Sequence, residues 1–239
     1  MAFSSEVTPK PAATVVLVRN GKAGREVFLT KRPDTMDFLG GFYVFPGGRV
    51  DNTDKSEKVR ERVIGFDQSD FRPWQEYELN EEWEGERQRG GEPSNPVDLV
   101  YPIDFYTAGI RELFEESGVL LMCDKEQKIV SNNIYEEMRS VAHLNPEGFL
   151  EGVIENGLYY AAFKLKFIQL FVTPPGSRKR FYTIFFSATL PKGQRAGIET
   201  DEVSESFWVS PDVALKKGES GEFPMIFPTI LALKSIVES

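Results

Sequence analysis

The chain has 239 residues, of which 41% are hydrophobic and 27% are charged, and this composition is typical of a soluble globular protein with one large domain. Its formal net charge of -9 disfavours general attraction to nucleic-acid backbones, so nucleic acid is not an expected partner. A single cysteine excludes an intramolecular disulfide framework.

The sequence carries few signals of targeting. It shows no pattern typical of a signal peptide, a transmembrane helix or a peroxisomal address of the Ser-Lys-Leu type. Cys123 fits a reducing compartment, and we expect it to be a small core residue rather than a nucleophile. The sequence therefore predicts a soluble, cytoplasmic protein with no membrane partner.

The first part of the chain has the pattern of a β-hairpin. Residues 13–19 and 26–31 are apolar and β-branched, and the stretch between them contains Asn-Gly and a further glycine. A short strand at 43–45 then leads to a predicted turn at Gly47 and Gly48. Two paired strands and a third short one indicate the start of a sheet.

The composition changes between residues 54 and 102, where charged residues become frequent. We interpret residues 54–102 as an insertion, irregular or helical, that contributes little to the core. Its second half is rich in Gly, Pro and Asn and is predicted to be a mobile surface loop. A helix is predicted to follow it, with Asp104 as the N-cap residue.

The second part of the chain alternates between helical and strand patterns. Helices are predicted at 131–143, 146–155, 211–217 and 228–237, and strands at 165–173, 179–190 and 203–209. Strand pairs around one acidic helix, with helices late in the chain, indicate an α/β fold: an α/β/α sandwich on a mixed β-sheet. We interpret residues 1–239 as a single domain that contains the insertion.

Residues 111–119 place three carboxylates on one side of a helix. At about 100° per residue, Glu112, Glu115 and Glu116 lie nearly opposite the apolar side chains of the same segment. Carboxylates this close repel one another, and a hard divalent cation that prefers oxygen ligands would remove the repulsion. Arg111 lies one turn from Glu115 and is expected to orient it; an ordinary surface salt bridge is the alternative.

Residues 111–119, together with Phe45-Pro46-Gly47-Gly48, resemble the signature of the Nudix hydrolases, which cleave nucleoside diphosphates linked to another moiety. Gly48 and Arg111 are 63 positions apart, where the family pattern allows 14, so about 49 residues are inserted within the Nudix box. A comparable insert occurs in the subgroup typified by the peroxisomal coenzyme A diphosphatases of animals, to which residues 43–51 are also similar.

This resemblance implies a hydrolase that depends on Mg²⁺ or Mn²⁺. It implies Glu112, Glu115 and Glu116 as metal ligands, with the backbone carbonyl of Gly47 as a further ligand. A glycine suits that position because close approach of backbone to metal and phosphate leaves no space for a Cβ. Glu115 and Arg111 are the expected catalytic residues of the helix.

Two roles in the family pattern have more than one candidate residue. The first glutamate of the pattern is absent, and Asp51, Asp54 or Asp104 could replace it. The general base is predicted to be Glu202, with Glu199 as the second candidate; a glutamate of the acidic helix is the alternative. Both residues belong to an acidic run just before the last predicted strand.

Substrate recognition is assigned to cations near the expected site. Arg32, Arg49 and Arg180 are predicted to bind the substrate, because arginine binds phosphate through two hydrogen bonds. Arg178 and Lys179, beside Arg180, could bind the 3'-phosphate of coenzyme A, or they could form a solvated hairpin tip.

The predicted function is a metal-dependent pyrophosphohydrolase that acts on a small nucleotide substrate. The leading substrate is coenzyme A or acyl-coenzyme A, split into 3',5'-ADP and the phosphopantetheine product. One alternative is an ADP-ribose or dinucleotide pyrophosphatase. Another is a module with weak catalysis that senses a nucleotide metabolite. A homodimer is compatible with each of these interpretations.

Overall fold

The computed structural model describes residues 7–22, 24–67, 100–130, 132–140, 145–197 and 203–238. The strands are β1 (Lys10–Gly21), β2 (Gly24–Lys31), β3 (Tyr43–Val44), β4 (Gly47–Arg49), β5 (Val63–Ile64), β6 (Met122–Cys123), β7 (Tyr159–Ala161), β8 (Lys166–Val172), β9 (Phe181–Thr189) and β10 (Glu205–Val209). The helices are α1 (Glu57–Arg60), α2 (Pro102–Ser117), α3 (Asn132–Ser140), α4 (Pro146–Glu155), α5 (Pro211–Glu219) and α6 (Phe227–Glu238).

A mixed sheet forms the centre of the fold. Within the described residues it has seven strands in the order β10-β2-β1-β9-β8, with β3 beside β2 and β4 beside β1. β1 and β9 are parallel, whereas β1 pairs with β2 and β4, and β8 with β9, in the antiparallel direction. The predicted α/β class with a mixed sheet is therefore confirmed.

The two faces of the sheet are covered by different helices. Along β1, Ala13, Val15 and Leu17 are buried in a core cluster with α2. Val16, which points to the opposite face, belongs to a second cluster with Ala214 of α5 and residues of α6. Because successive strand residues alternate between the faces of a sheet, one apolar strand contributes to both layers of core.

The acidic helix α2 begins two residues earlier than its predicted N-cap. Tyr101 is the N-cap residue and Pro102 occupies the first helical position, where proline lacks only a hydrogen bond that the helix would not make. The N-cap prediction for Asp104 is wrong, because its carboxylate lies within the helix and accepts a hydrogen bond from the Tyr101 amide at 2.7 Å. Gly118 ends the helix with φ of 70°, in the left-handed region that suits glycine.

Two local predictions need correction. Gly47 and Gly48 do not form a free turn, because β4 pairs with residues 12–14 of β1. A small second sheet in the order β5-β7-β6, within the described residues, was not predicted. Its strands have only two or three residues each and are too short to give a periodic pattern.

The first part of the insertion packs against the rest of the fold. It contributes α1 and β5, and β5 pairs in parallel with β7. The predicted mobile loop falls within residues 68–99, and this segment lies outside the described residues. Among the described residues, no helix is long and apolar enough to cross a membrane.

Candidate active site

The buried side chain of Arg111 is the centre of a network of acids on α2 and around β4. Its Nε and Nη2 atoms donate to the two carboxylate oxygens of Asp54 at 3.0 and 2.8 Å. Its Nη2 atom also donates to the carbonyl oxygen of Arg49 at 3.0 Å. The Nη1 atom lies 2.6 Å from Glu115 and 3.0 Å from Glu112. Arg111 is only 3% exposed, so the surface salt bridge considered for it is excluded and the predicted contact with Glu115 is present.

Of the three acids that could replace the missing glutamate, Asp54 is the one that pairs with Arg111. It is 1% exposed and also accepts a hydrogen bond from the Asp51 amide at 2.8 Å. Burial raises the pKa of Asp54, and the guanidinium charge of Arg111 opposes this effect. Asp104 pairs instead with Arg60, through bonds of 2.8 and 2.7 Å. Proximity in space to Arg111 therefore distinguishes Asp54 from the other two candidates.

Burial of Arg111 disfavours its charge, but the carboxylates around it outweigh burial. The net result is a pKa of Arg111 well above its ordinary value, with Asp54 and Glu112 the largest favourable contributions. The guanidinium therefore remains charged, and it can hold Glu112 and Glu115 close together despite their repulsion.

The carboxyl group of Glu115 is strongly perturbed by its surroundings. Burial raises the pKa of Glu115 to about 7, with Arg111 opposing the change and the nearby charge of Glu112 adding to it. Its Oε2 atom accepts the bond from Arg111. Its Oε1 atom is buried and has no hydrogen-bond partner among the described residues. A buried carboxylate oxygen without a partner is costly, so this atom is suited to a bound cation.

Gly47 and Gly48 allow β4 to pass close to the acidic helix. A Cβ at Gly48 would collide with the carboxylate of Glu112, and a Cβ at Gly47 would collide with the backbone of Ala13 and Thr14. The Gly47 amide donates to Glu116 at 3.0 Å. The structure thus brings Gly47 next to Glu116 and Gly48 next to Glu112, although the contact of Gly47 is made by its amide and not by its carbonyl.

A cavity of about 1550 Å³ opens beside this network. Its floor is the face of the sheet formed by alternate residues of β1 and β9, including Thr14, Thr183 and Phe185. Arg111, Glu112 and Glu115 line one side. The β8–β9 turn and the start of α6 line another side. Because the Nudix-like glycines and the acidic helix meet at this cavity, it is the candidate active site.

The predicted substrate-binding arginines do not all reach the cavity. Arg32 and Arg49 line it. Arg180 does not, because it is 5% exposed and its guanidinium donates to the carbonyl oxygens of Thr173 and Val7, both at 3.0 Å. In this structure Arg180 holds the β8–β9 turn against the N-terminal segment. The neighbouring exposed residues Arg178 and Lys179 line the cavity instead.

Two further cations of the cavity were missed by the sequence analysis. Lys10 and Lys55 both line it. Lys10 precedes an apolar strand and Lys55 follows Asp54, so each resembles an ordinary surface lysine in sequence. Glu199 and Glu202, the predicted general bases, lie outside the described residues.

Comparison with known proteins decides the family. The family model described as the NUDT19 Nudix domain matches residues 8–236. The chain belongs to the Nudix hydrolase family. Its sequence is 25% identical over 226 residues to the putative Nudix hydrolase 7 of Caenorhabditis elegans, covering 94% of this chain and 59% of that protein. It is 25% identical over 219 residues to the acyl-coenzyme A diphosphatase NUDT19 of Xenopus laevis, covering 84% of this chain and 57% of that protein.

A solved structure supports the same family. The crystal structure of a Nudix hydrolase from Alicyclobacillus acidocaldarius matches with a TM-score of 0.71 and 26% identity, covering 98% of this chain and 93% of that one. The predicted Nudix fold is therefore confirmed. The chain spans less than two thirds of the length of the two curated relatives.

The two halves of the Nudix box meet in space although 62 residues separate Gly48 from Arg111 in the chain. Asp54, at the start of the insertion, bonds to Arg111 beyond its end. The pair of Arg60 and Asp104 makes a second connection across the insertion. Two buried or partly buried ion pairs, Asp54–Arg111 and Arg60–Asp104, thus connect the beginning of the insertion to the acidic helix.

The Nudix glutamates are not arranged as a ready-made metal cage. Among the described residues, no group of three or more His, Cys, Asp or Glu side chains is placed so that it could hold a metal ion. Arg111 holds Glu112 and Glu115, and the Gly47 amide holds Glu116. The donor set nevertheless fits Mg²⁺ or Mn²⁺, since it consists of carboxylate oxygens and includes the unpaired Oε1 atom of Glu115.

Proposed function

We propose that this Nudix domain is a metal-dependent pyrophosphohydrolase. Water attacks a phosphorus of a nucleoside diphosphate linked to another moiety, and two phosphate-bearing products leave. The observation that carries the proposal is the buried, unpartnered Oε1 atom of Glu115 beside Glu112 at the wall of a large cavity. An acid left in that state has a use only if a cation or a substrate group completes it.

The metal would be held by Glu112, Glu115 and Glu116, with Gly47 as the adjacent backbone group. When bound, Mg²⁺ or Mn²⁺ neutralises phosphate charge, orients the phosphate oxygens and lowers the pKa of an attacking water. Because burial keeps the pKa of Glu115 at about 7, a bound cation would also favour its ionised form near neutral pH.

The residues around the glutamates would act by positioning them. Arg111 keeps the carboxylates of Glu112 and Glu115 within 3.0 Å of one guanidinium nitrogen. Asp54 fixes the other edge of that guanidinium. The general base is proposed to be Glu202 or Glu199, as the sequence pattern indicates.

Coenzyme A or acyl-coenzyme A is the proposed substrate. The cavity of about 1550 Å³ exceeds the roughly 300–1,000 Å³ typical of small-ligand sites and suits a long substrate. Arg32 and Arg49 line the same cavity as the acidic residues and could bind a pyrophosphate there, and Arg178 and Lys179 could bind a separate 3'-phosphate. The likeness to an acyl-coenzyme A diphosphatase supports the same choice.

An apolar part of the cavity would suit the non-nucleotide portion of such a substrate. Phe171 of β8 and Phe227 of α6 both line the cavity, with their rings 6.2 Å apart. Phe227 is 62% exposed, so its ring is accessible to a bound ligand. A pantetheine arm or an acyl chain could cover this surface.

Product analysis tests the proposal. The purified protein would be incubated with Mg²⁺ or Mn²⁺ and with coenzyme A, acetyl-coenzyme A, ADP-ribose, NADH or diadenosine polyphosphates, with a chelator control. We expect chelator-sensitive release of 3',5'-ADP from the coenzyme A compounds. Glu115→Gln should lower that activity at least ~100-fold with the fold intact. Normal turnover by this variant would contradict the assigned role of Glu115.

The same panel separates the alternatives. Preferential cleavage of ADP-ribose or a dinucleotide would keep the metal mechanism and discard coenzyme A as the substrate. Tight binding of one compound without turnover of any would indicate a sensor of a nucleotide metabolite.

A further inference from the structure

Arg139 of α3 lies at the C-terminal end of the acidic helix, outside the cavity described above. Its Nη1 atom donates to the carbonyl oxygens of Gly118 at 3.1 Å and of Arg195 at 3.0 Å, and to the hydroxyl of Tyr135 at 3.0 Å. Its Nη2 atom donates to the carbonyl oxygen of Gly197. One guanidinium therefore joins α3, the end of α2 and the segment that follows β9.

The segment around Gly197 is fastened to the same helix end by other bonds. The Gly197 amide donates to the carbonyl oxygen of Ser117 at 2.9 Å. The buried side-chain amide of Gln194 makes two bonds with the backbone of Leu120, at 2.8 and 2.9 Å. The Arg139 guanidinium therefore lies in a polar junction where backbone groups of the end of α2 and of the segment after β9 are hydrogen-bonded to one another and to side chains.

The end of α2 needs an external cation for an electrostatic reason. Glu115 and Glu116 lie in its last turn, where the carbonyl ends of the helix carry partial negative charge and disfavour acids. The last turn of α2, all of which is described, contains no basic residue. Arg139 supplies the missing positive charge from α3, and it donates to Gly118, immediately after the helix.

We propose that Arg139 is a positioning residue for the metal-binding acids: it prevents the last turn of α2 from fraying, and so keeps Glu115 and Glu116 in the geometry that a divalent cation requires. This inference rests on the proposed function, because it assumes that the cation is bound by these glutamates. Arg139 itself touches neither the substrate nor the metal.

The test compares Arg139→Gln with Arg195→Gln. Arg195 is a suitable control because it belongs to the same junction, yet its guanidinium is directed to Glu136 on the outer surface. Mn²⁺ affinity would be measured by calorimetry on the full chain, together with kcat, KM and the melting temperature. We expect Arg139→Gln to weaken Mn²⁺ binding at least ~5-fold and to lower kcat ~10-fold with KM within ~2-fold. Arg195→Gln should leave these values within ~2-fold of wild type.

A lower melting temperature with unchanged Mn²⁺ affinity and kcat in Arg139→Gln would overturn the proposal, since Arg139 would then serve stability alone. If Arg139→Gln does not fold, the same measurements are made on Arg139→Lys, which keeps the charge but replaces the planar guanidinium that contacts Gly118 and Gly197 through two nitrogens. A lower melting temperature with wild-type Mn²⁺ affinity and kcat in that variant would again overturn the proposal. Failure of the proposed function has a different signature, in which the wild-type protein itself neither binds Mn²⁺ nor cleaves any compound of the panel.

Discussion

At the scale of single residues, the candidate site depends on how one guanidinium shares its donors. Arg111 bonds to Asp54 along one edge and to Glu115 and Glu112 through its remaining nitrogen. Asp54 compensates the buried charge, while Glu115 keeps one oxygen without a partner. The two acids therefore differ in what their removal should do: loss of Asp54 affects stability, whereas loss of Glu115 affects chemistry.

Asp54→Asn should destabilise the protein by roughly 3 kcal/mol, because it breaks a buried ion pair and leaves Arg111 short of a counter-charge. Chemical denaturation of wild type and variant measures this difference in the free energy of unfolding. Asp51→Asn is the matched control: the Asp51 carboxylate is partly exposed and accepts a bond from the Thr53 amide. Equal losses of unfolding free energy in the two variants would mean that the ion pair with Arg111 stabilises the protein no more than the partly exposed carboxylate of Asp51 does.

Glu115 should give the metal-free protein a distinct dependence of stability on pH. Its pKa of about 7 in the folded state lies above its ordinary value of 4.5, so between these pH values the folded state binds more protons than the unfolded state. Stability should therefore increase as pH falls from about 7 to about 4.5, and this contribution should be absent at higher pH.

The melting temperature of wild type and of Glu115→Gln, measured in chelator across this pH range, isolates the contribution of Glu115. The difference between the two proteins should shift in favour of wild type as the pH is lowered. A difference that is constant with pH would show that Glu115 does not have a raised pKa.

At the scale of elements, the site forms where β4 crosses the acidic helix α2. β4 pairs with residues 12–14 of β1, which places Gly47 and Gly48 beside the glutamates. The two glycines are required for different reasons. The space at Gly47 is limited by the backbone of β1, whereas the space at Gly48 is limited by the movable carboxylate of Glu112.

Gly47→Ala should consequently affect mainly stability, whereas Gly48→Ala should affect mainly activity. Gly47→Ala forces a Cβ against backbone that cannot move, and should cost about 2 kcal/mol of stability. Gly48→Ala should change stability by less than about 1 kcal/mol, because the end of a glutamate side chain can rotate away. Gly48→Ala should nevertheless lower activity at least ~10-fold, because the added Cβ displaces the Glu112 carboxylate. Denaturation curves and kcat/KM measured on both variants test this contrast, and similar profiles would refute it.

At the scale of the whole molecule, charge is unevenly distributed around the cavity. The chain has a net charge of -9, yet Lys10, Arg178 and Lys179 all line this cavity. A local positive region in an acidic protein attracts an anionic group without attracting nucleic acid in general. Under the proposed function, that group is the 3'-phosphate of coenzyme A.

Coenzyme A and dephospho-coenzyme A differ only in this phosphate and make a matched pair of substrates. The double variant Arg178→Ala/Lys179→Ala should raise KM for coenzyme A about 10-fold, which corresponds to about 0.7 kcal/mol for each partly exposed cation. KM for dephospho-coenzyme A should change less than ~2-fold. Lys125→Ala/Lys192→Ala, which changes two exposed lysines elsewhere, controls for net charge. Equal effects on both substrates would place the 3'-phosphate somewhere else.

Several elements could be predicted because their signals are local. The spacing of Glu112, Glu115 and Glu116 predicts a helix with one acidic side, and the apolar runs of β1 and β9 predict strands. The family resemblance likewise rests on short motifs that remain contiguous in sequence. The strands β5, β6 and β7 could not be predicted, because two or three residues are too few for a period.

By itself, the sequence determined the α/β class, the family and the identity of the acidic residues, since each depends on side-chain type and on spacing within one segment. Only the tertiary structure decided that Asp54 pairs with Arg111, that Arg180 bonds to the β8–β9 turn, and that Arg139 bonds to the end of the acidic helix. These contacts join residues 57, 7 and 21 positions apart. Sequence spacing does not specify the partner of a long, flexible charged side chain, because the choice depends on which backbone and carboxylate oxygens the packed elements bring within its reach.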